Sequence, residues 1–146
     1  MRITEHFSLA EATRTSTGLP NNPDKVSRNY MTALAETLLE PIRDLLGTAL
    51  IIHSLFRCRA VNTAVGGDKN SAHLMGRACD FHPKGWMIRQ AFDCIRTSDL
   101  PYDKLILERK DNSWWIHVQI PKEGAKPRRK AYIANVTDTG TAYREV

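Results

Sequence analysis

The most constraining feature of the sequence is the stretch Ser71–Phe81, which places a histidine and an aspartate seven positions apart. Ligands on one helix face usually lie three or four positions apart, so this spacing favours a turn followed by a strand. His73 would lie on the turn, Gly76 would allow an unusual backbone angle, and Asp80 would follow on the strand. A neutral imidazole and a carboxylate that converge in this way can hold two corners of a tetrahedral zinc site.

A third ligand is needed, because an isolated His–Asp pair is more often a hydrogen-bonded structural pair than a metal site. The best candidate is His117, in the segment Trp114–Val118. His53 and His82 are alternative candidates for the third ligand. His82 lies two positions after Asp80 and would share a strand face with it. His82 could therefore replace His117 or support the site from outside, and the residues alone leave the choice open.

A predicted hairpin around Asp111-Asn112 brings an acidic residue to the same place. Its register places Glu108 opposite Trp115 and Ile106 opposite His117. The other face of the hairpin is then wholly apolar, and a one-residue slip would mix the two sets. Glu108 becomes a diagonal neighbour of His117, about 7–8 Å away between backbones and within side-chain reach. The residues that form the apolar face are Leu105, Leu107, Trp114, Ile116 and Val118.

Two separated motifs, Ser-x-His-x-x-Gly-x-Ala-x-Asp-Phe and Trp-x-His-Val, occur in this order along the chain. Together they resemble the zinc D-alanyl-D-alanine peptidases, a family that includes VanX-type dipeptidases, phage endolysin peptidases and the related Hedgehog signalling domain. The resemblance is closest to the small phage and bacterial carboxypeptidase branch and covers most of the chain. It implies a Zn²⁺ ion held by His73, Asp80 and His117.

The resemblance also implies roles for other residues. Arg57, which ends a Ser-x-x-Arg stretch, would assist the scissile carbonyl or hold a substrate carboxylate, the alternative being a surface arginine. Glu108 would be the general acid–base, although VanX-type members have Glu-x-x-His and this chain has Trp114 at that position. The alternative for Glu108 is an ordinary exposed strand residue. Ser71 and Trp115 are expected to contact the substrate.

The periodicity predicts one α+β domain over residues 1–146, with helices packed on a small, mainly antiparallel sheet. The resemblance implies a zinc cleft across this sheet. Ser8 and Glu11 form the capping box of a first helix. A long amphipathic helix follows, with a kink or new start at Pro41. The remaining elements are a strand at 48–54, an irregular loop at 57–67, a strand at 77–82, a helix at 86–96, and hairpins at 104–109 with 114–120 and 130–136 with 141–146.

Composition limits the possible partners and the compartment. The formal charge is +5, partly in Lys126–Lys130, which favours an anionic partner or is simply a solvated basic turn. Three cysteines without Cys-x-x-Cys spacing are typical of free thiols in a reducing compartment. No apolar run reaches membrane-spanning length and no signal peptide is evident. We therefore expect a protein that is made in the cytoplasm and does not insert into a membrane. We also expect it to be a monomer.

The expected function is zinc-dependent hydrolysis of a peptide bond in peptidoglycan stem peptides, as a D-Ala-D-Ala carboxypeptidase or endopeptidase. The resemblance implies endolysin-type lysis, with the enzyme released through a phage pore or carried by a virion to the cell wall. A catalytically silent zinc-dependent wall-binding module would keep the ligands and lack the base. A nucleic-acid-binding protein would use the basic run, but no aromatic–basic interleaving or binding motif supports it.

Overall fold

The computed structural model describes all 146 residues, which form an α+β fold built on a six-stranded mixed sheet. Its strands lie in the order β3-β4-β6-β5-β7-β8, and a separate pair, β1-β2, lies at the N-terminus. The strands are β1 (Arg2–Thr4), β2 (Phe7–Ser8), β3 (Leu50–Ser54), β4 (Ala78–Pro83), β5 (Lys104–Lys110), β6 (Ser113–Gln119), β7 (Lys130–Thr137) and β8 (Gly140–Glu145). The helices are α1 (Leu9–Ala12), α2 (Lys25–Leu34), α3 (Glu40–Leu46), α4 (Arg59–Ala64) and α5 (Ile88–Arg96).

Four of the five strand pairings in the large sheet are antiparallel, and the pairing of β5 with β7 is parallel. Both predicted hairpins are present, β5 with β6 and β7 with β8. Periodicity identifies the strands, but it does not say that β7 lies beside β5. The sheet is therefore mixed, and the second hairpin extends it on the β5 side.

The helices follow local sequence signals. Ser8 Oγ accepts a hydrogen bond from Glu11 N at 3.1 Å while Glu11 Oε1 accepts one from Ser8 N at 3.0 Å, which confirms the capping box. The long helix is α2 and α3 joined by a π-helical turn, Ala35–Leu39, just before Pro41. Because proline has no N–H to donate, the regular bonding pattern changes at this point, and a new helical segment starts at Glu40, which is one of the two predicted alternatives. Gly47 ends α3 in a left-handed conformation.

The prediction of an irregular loop over residues 57–67 was wrong, because α4 lies within it. No proline or glycine occurs between Arg59 and Ala64, and the helix buries Val61 and Asn62. A glycine in a left-handed conformation occurs only after the end of the helix, where Gly66 has a φ of 72°.

One face of the sheet is covered by α2, α3 and α5, and together they form the hydrophobic core. Burying each large apolar side chain stabilises the fold by about 1.5–3 kcal/mol before the entropy of ordering is counted. Alternation along the strands leaves the opposite face free for polar side chains. The main core residues are Met31, Leu34, Leu38, Leu39, Ile42, Cys79, Phe81, Phe92, Ile95, Leu105, Leu107, Ile116 and Val118.

None of the helices is both long enough and apolar enough to cross a bilayer. All three cysteines are free thiols; Cys79 is buried, and Cys58 and Cys94 are partly buried.

Candidate active site

A row of polar side chains crosses the open face of the sheet at its middle strands. The pairing of β4 with β6 places Asp80 opposite His117. The pairing of β5 with β6 places Ile106 opposite His117 and Glu108 opposite Trp115, so the predicted hairpin register is confirmed. Directly opposite residues share a face, and the row therefore lies on the side away from the helical core.

His73 reaches this row from a single 3-10 turn, Ala72–Met75, between α4 and β4. Ser71 Oγ accepts a hydrogen bond from His73 N at 3.2 Å and so caps the turn. Gly76 ends the turn with a φ of 75°, and a Cβ atom there would lie 2.9 Å from Ser27 O. Only glycine fits this backbone without strain, and its lack of a side chain lets the turn pack closely against α2.

His73, Asp80 and His117 form one compact group, and one ligand-capable atom from each lies within 4.8 Å of the others. His73 Nε2 lies 3.3 Å from Asp80 Oδ2, and His117 Nδ1 lies 2.9 Å from Asp80 Oδ1. The side chains are only 3%, 11% and 10% exposed. The structure thus brings together the three residues predicted as ligands.

The outward nitrogen of each imidazole in this group has a partner behind it. His73 Nδ1 lies 2.8 Å from Leu55 O, a carbonyl that can only accept, so Nδ1 carries the hydrogen. His117 Nε2 lies 2.9 Å from Gln119 Oε1. This leaves Nε2 of His73 and Nδ1 of His117 to face the carboxylate. Two imidazole nitrogens and a carboxylate oxygen, with the rings held from behind, fit a zinc ion that keeps one position open.

The electrostatics of the group suit metal binding. Burial by itself would raise the pKa of Asp80, but His73 and His117 hold it well below the usual range for a carboxyl group. Burial lowers the pKa of His73, which favours the neutral imidazole. The pKa of His117 is raised despite burial, because its ring is hydrogen-bonded to Asp80 and lies near its charge. Ionised carboxylate and neutral imidazole are the forms that bind metals, and His117 loses its Nδ1 proton on binding.

Glu108 lies next to this group without belonging to it. Its Oε1 atom is 3.5 Å from His117 Nδ1, and its side chain is only 16% exposed. Burial, and then the charge of Asp80, raises the pKa of Glu108 to about 7. It is therefore not an ordinary exposed strand residue. A carboxyl group with this pKa can both take and give a proton near neutral pH.

Comparison with known families agrees with this geometry. A family model described as Peptidase M15 matches residues 5–119 of the 146-residue chain. The chain belongs to the Peptidase M15 family. It is accordingly a zinc-dependent peptidase, and the family implies substrates of the peptidoglycan type. No sequence among the curated proteins matches the chain. The M15 match ends at Gln119, so β7 and β8 lie outside it.

Arg57 contacts the group of His73, Asp80 and His117, and it is not a free surface residue. Its Nη2 atom donates to Asp80 Oδ2 at 3.3 Å, and its side chain is 15% exposed. Nε donates to Ser54 Oγ at 3.0 Å and Nη1 to Asn62 Oδ1 at 3.2 Å. Gly67 packs so closely here that a Cβ atom would lie 2.9 Å from Arg57 Nη1. Asn62, given no role from the sequence, thus orients the arginine.

The two remaining predicted site residues, Ser71 and Trp115, flank the group of His73, Asp80 and His117. Ser71 holds the turn that carries His73, so its first observed contact is structural. Trp115 is partly buried opposite Glu108, and its buried indole Nε1–H has no hydrogen-bond partner. The substrate contacts of both residues stay predictions.

The rival histidines lie outside the group of His73, Asp80 and His117. His53 Nε2 is 2.6 Å from His82 Nδ1, and the two rings pair with each other on β3 and β4. His53 lies at a register shift between Ile52 and Ser54, which interrupts the regular alternation of β3. The group that converges on Asp80 contains His117 and not His82.

Proposed function

We propose that this M15 protein hydrolyses a peptide bond in peptidoglycan stem peptides, with His73, Asp80 and His117 as the zinc ligands. The observation that supports this most strongly is Glu108, a buried carboxyl group beside the ligand group but outside it. A protein that only binds zinc needs the three ligands. It does not need a second acidic residue, beside Asp80, whose pKa is raised to about 7.

When bound, zinc supplies a Lewis acid that polarises the scissile carbonyl and makes water acidic near neutral pH. Glu108 takes a proton from the attacking water and returns it to the leaving amine, which requires a pKa near the working pH. Arg57 brings positive charge beside Asp80 and stabilises the negative charge that develops on the carbonyl oxygen. Trp115 and Ser71 border the place where the peptide lies.

The finer assignment is also part of the proposal. We infer a D-Ala-D-Ala carboxypeptidase or endopeptidase of the phage endolysin type, monomeric, acting at the cell wall after release through a pore or delivery by a virion. The motif pattern of the small phage-like branch supports this, as does a net charge of +5, which would favour binding to an anionic wall.

Mass spectrometry of purified peptidoglycan fragments incubated with zinc-loaded protein tests the proposal. We expect new amine or D-alanine ends, loss of the reaction on chelation, and recovery on adding zinc. The matched control is Glu108→Gln, which keeps shape and zinc but removes the base. If zinc-loaded wild-type protein binds the fragments and leaves every peptide bond intact, the protein is a wall-binding module and the enzyme proposal is wrong.

A further inference from the structure

Asp103, between α5 and β5, is the most heavily bonded acidic residue outside the metal site. It is 3% exposed, and its carboxylate accepts from Arg128 Nε at 2.9 Å and Arg128 Nη2 at 2.8 Å. Its Oδ1 atom also accepts from Arg128 N at 3.1 Å. Hydrogen bonds from Arg128 lower the pKa of Asp103 in spite of its burial, so the carboxylate is ionised at neutral pH. Arg128, one of the basic residues in Lys126–Lys130, is thus paired with a buried carboxylate of the same chain.

Gln119 connects this carboxylate to the metal site. Its Nε2 donates to Asp103 Oδ2 at 3.2 Å, and its Oε1 lies 2.9 Å from His117 Nε2. Gln119 is 7% exposed, and the contacts with Asp103 and His117 are both buried. A glutamine amide has one oxygen that only accepts and one nitrogen that only donates.

These contacts fix the direction of every hydrogen bond in the series. An ionised carboxylate cannot donate, so Gln119 must turn its NH₂ group toward Asp103. Its oxygen is then left to face His117, and that oxygen can only accept. His117 must therefore keep a hydrogen on Nε2, and Nδ1 is the nitrogen free to bind a metal.

We propose that Asp103, held by Arg128, is a positioning residue of the metal centre, which acts through Gln119 to present Nδ1 of His117 to the metal. The proposal rests on His117 as a ligand, as proposed above. It does not depend on which bond is hydrolysed. Partners behind a metal-binding imidazole fix its orientation and tautomer, and their loss typically weakens metal binding by about 10–100-fold.

Asp103 also has a plainly structural role that the test must separate. Asp103 N donates to Gln119 O at 2.8 Å and Asp103 O accepts from Lys130 N at 3.2 Å, so the residue ties β6 to the start of β7. These two bonds use the backbone, but loss of the carboxylate also removes the ion pair with Arg128, so it affects stability whether or not the carboxylate orients Gln119. A readout at His117 itself is required.

The first variant is Asp103→Asn, whose amide can donate as well as accept and so no longer dictates the orientation of Gln119. We expect zinc affinity, measured by competition with a chelator, to fall about 10–100-fold. In zinc-loaded wild-type protein, ¹⁵N–¹H NMR of labelled histidine should show a downfield, slowly exchanging Nε2–H for His117. In Asp103→Asn that resonance should move upfield and exchange faster.

A double variant, Asp103→Asn with Gln119→Glu, separates positioning from stability. It moves the carboxylate one step along the series, so that an acceptor-only group, now a carboxylate at position 119 in place of the Gln119 amide oxygen, again faces His117 Nε2 while Arg128 remains without its ion pair. We expect zinc affinity and the slowly exchanging Nε2–H to recover, and the stability lost with the Arg128 contact to stay lost.

Controls within the basic run complete the design. Arg128→Ala should weaken zinc binding in the same direction, but Lys126→Ala, an exposed charge two positions earlier, should not. If Asp103→Asn does not fold, Gln119→Met tests the same link from the other side and should also weaken zinc binding. Wild-type zinc affinity and an unchanged His117 Nε2–H in Asp103→Asn, or no recovery in the double variant, would overturn the proposal.

Discussion

Two pairs of histidines in the same sheet region differ in almost every property that matters for metal binding. His73 and His117 are buried, with ring centroids 5.3 Å apart, and Asp80 lies between them. His53 is exposed and His82 partly so; their centroids are 4.8 Å apart and they hydrogen-bond to each other. The mutual distances are similar, so proximity alone does not separate a ligand pair from a structural pair.

The difference lies behind the rings. In the buried pair, Leu55 O and Gln119 Oε1 hold the outward nitrogens, so each ring has a defined orientation. In the exposed pair, the two nitrogens that face each other, His53 Nε2 and His82 Nδ1, are hydrogen-bonded together and so are not free to bind a metal between them. A histidine ring is oriented for metal binding when a hydrogen-bond acceptor holds its outward nitrogen and an acidic residue lies beside its inward nitrogen.

The largest expected effect is on metal content. Wild-type protein should carry about one zinc per chain, and His73→Ala, Asp80→Ala or His117→Ala should remove most of it. His53→Ala and His82→Ala are the matched histidine controls and should keep it. Elemental analysis of purified variants measures this directly. Full zinc in His117→Ala together with loss in His82→Ala would reverse the comparison.

Removing the base should affect turnover without affecting metal. Glu108→Gln keeps the shape of the side chain but cannot exchange a proton, so hydrolysis should slow by about 10²–10⁴-fold while zinc content stays normal. Release of amine ends from peptidoglycan fragments is the measurement. Glu123→Gln, at an exposed position beyond β6, is the control and should leave the rate unchanged. A near-normal rate for Glu108→Gln would mean that another group moves the proton.

Displacing the turn that carries His73 should cost stability and metal affinity together. Gly76→Ala places a Cβ atom 2.9 Å from Ser27 O at a φ of 75°, so crowding of about 1–3 kcal/mol adds to the backbone strain. Gly85→Ala has the same strain, at a φ of 78°, and no atom within 4 Å of the new Cβ. Denaturant unfolding should show a larger loss for Gly76→Ala, and that variant alone should bind zinc more weakly.

The smallest expected effect concerns a histidine–carboxylate pair away from the site. His6 Nδ1 lies 2.7 Å from Glu40 Oε1, and Thr4 Oγ1 donates to Glu40 Oε2 at 2.7 Å. Burial opposes ionisation of Glu40, but these hydrogen bonds outweigh it and lower its pKa. The carboxylate therefore stabilises the fold above the ordinary glutamate pKa, and this contribution is lost as pH falls through the lowered folded-state value.

Glu40→Gln should accordingly reduce the free energy of unfolding at neutral pH by no more than about 1 kcal/mol, since the pair is partly exposed. The difference from wild type should disappear in acid. Urea denaturation at several pH values measures it, and zinc content should not change. A deficit that grows as the pH falls would contradict the sign of the pKa shift.

The sequence predicts the parts of this site that depend on local pattern. The turn at His73, the strand at Asp80 and the register that brings Glu108 near His117 follow from glycine placement and two-residue alternation. The same alternation places Gln119, two positions after His117, on the same face, but it does not predict that Gln119 links His117 to Asp103.

Other parts depend on contacts that no local pattern encodes. The pairing of Arg57 with Asp80 joins residues 23 positions apart, and that of Asp103 with Arg128 joins residues 25 positions apart. The parallel alignment of β5 with β7 is of the same kind. Helix α4 is unexpected for another reason, since it is only six residues long and is followed at once by Gly66 and Gly67, which are typical of a loop.

The three proposed ligands come from separate segments, a turn, β4 and β6, and His73 and His117 are 44 positions apart. An unfolded chain cannot hold them together, so metal affinity belongs to the native state alone. By mass action, free zinc at 100 times its dissociation constant would add about 2.7 kcal/mol to the free energy of unfolding. The melting temperature should therefore follow the zinc concentration of the medium, and a chelator should act as a mild denaturant. The group that performs hydrolysis would then also be a reversible cross-link between the two halves of the chain.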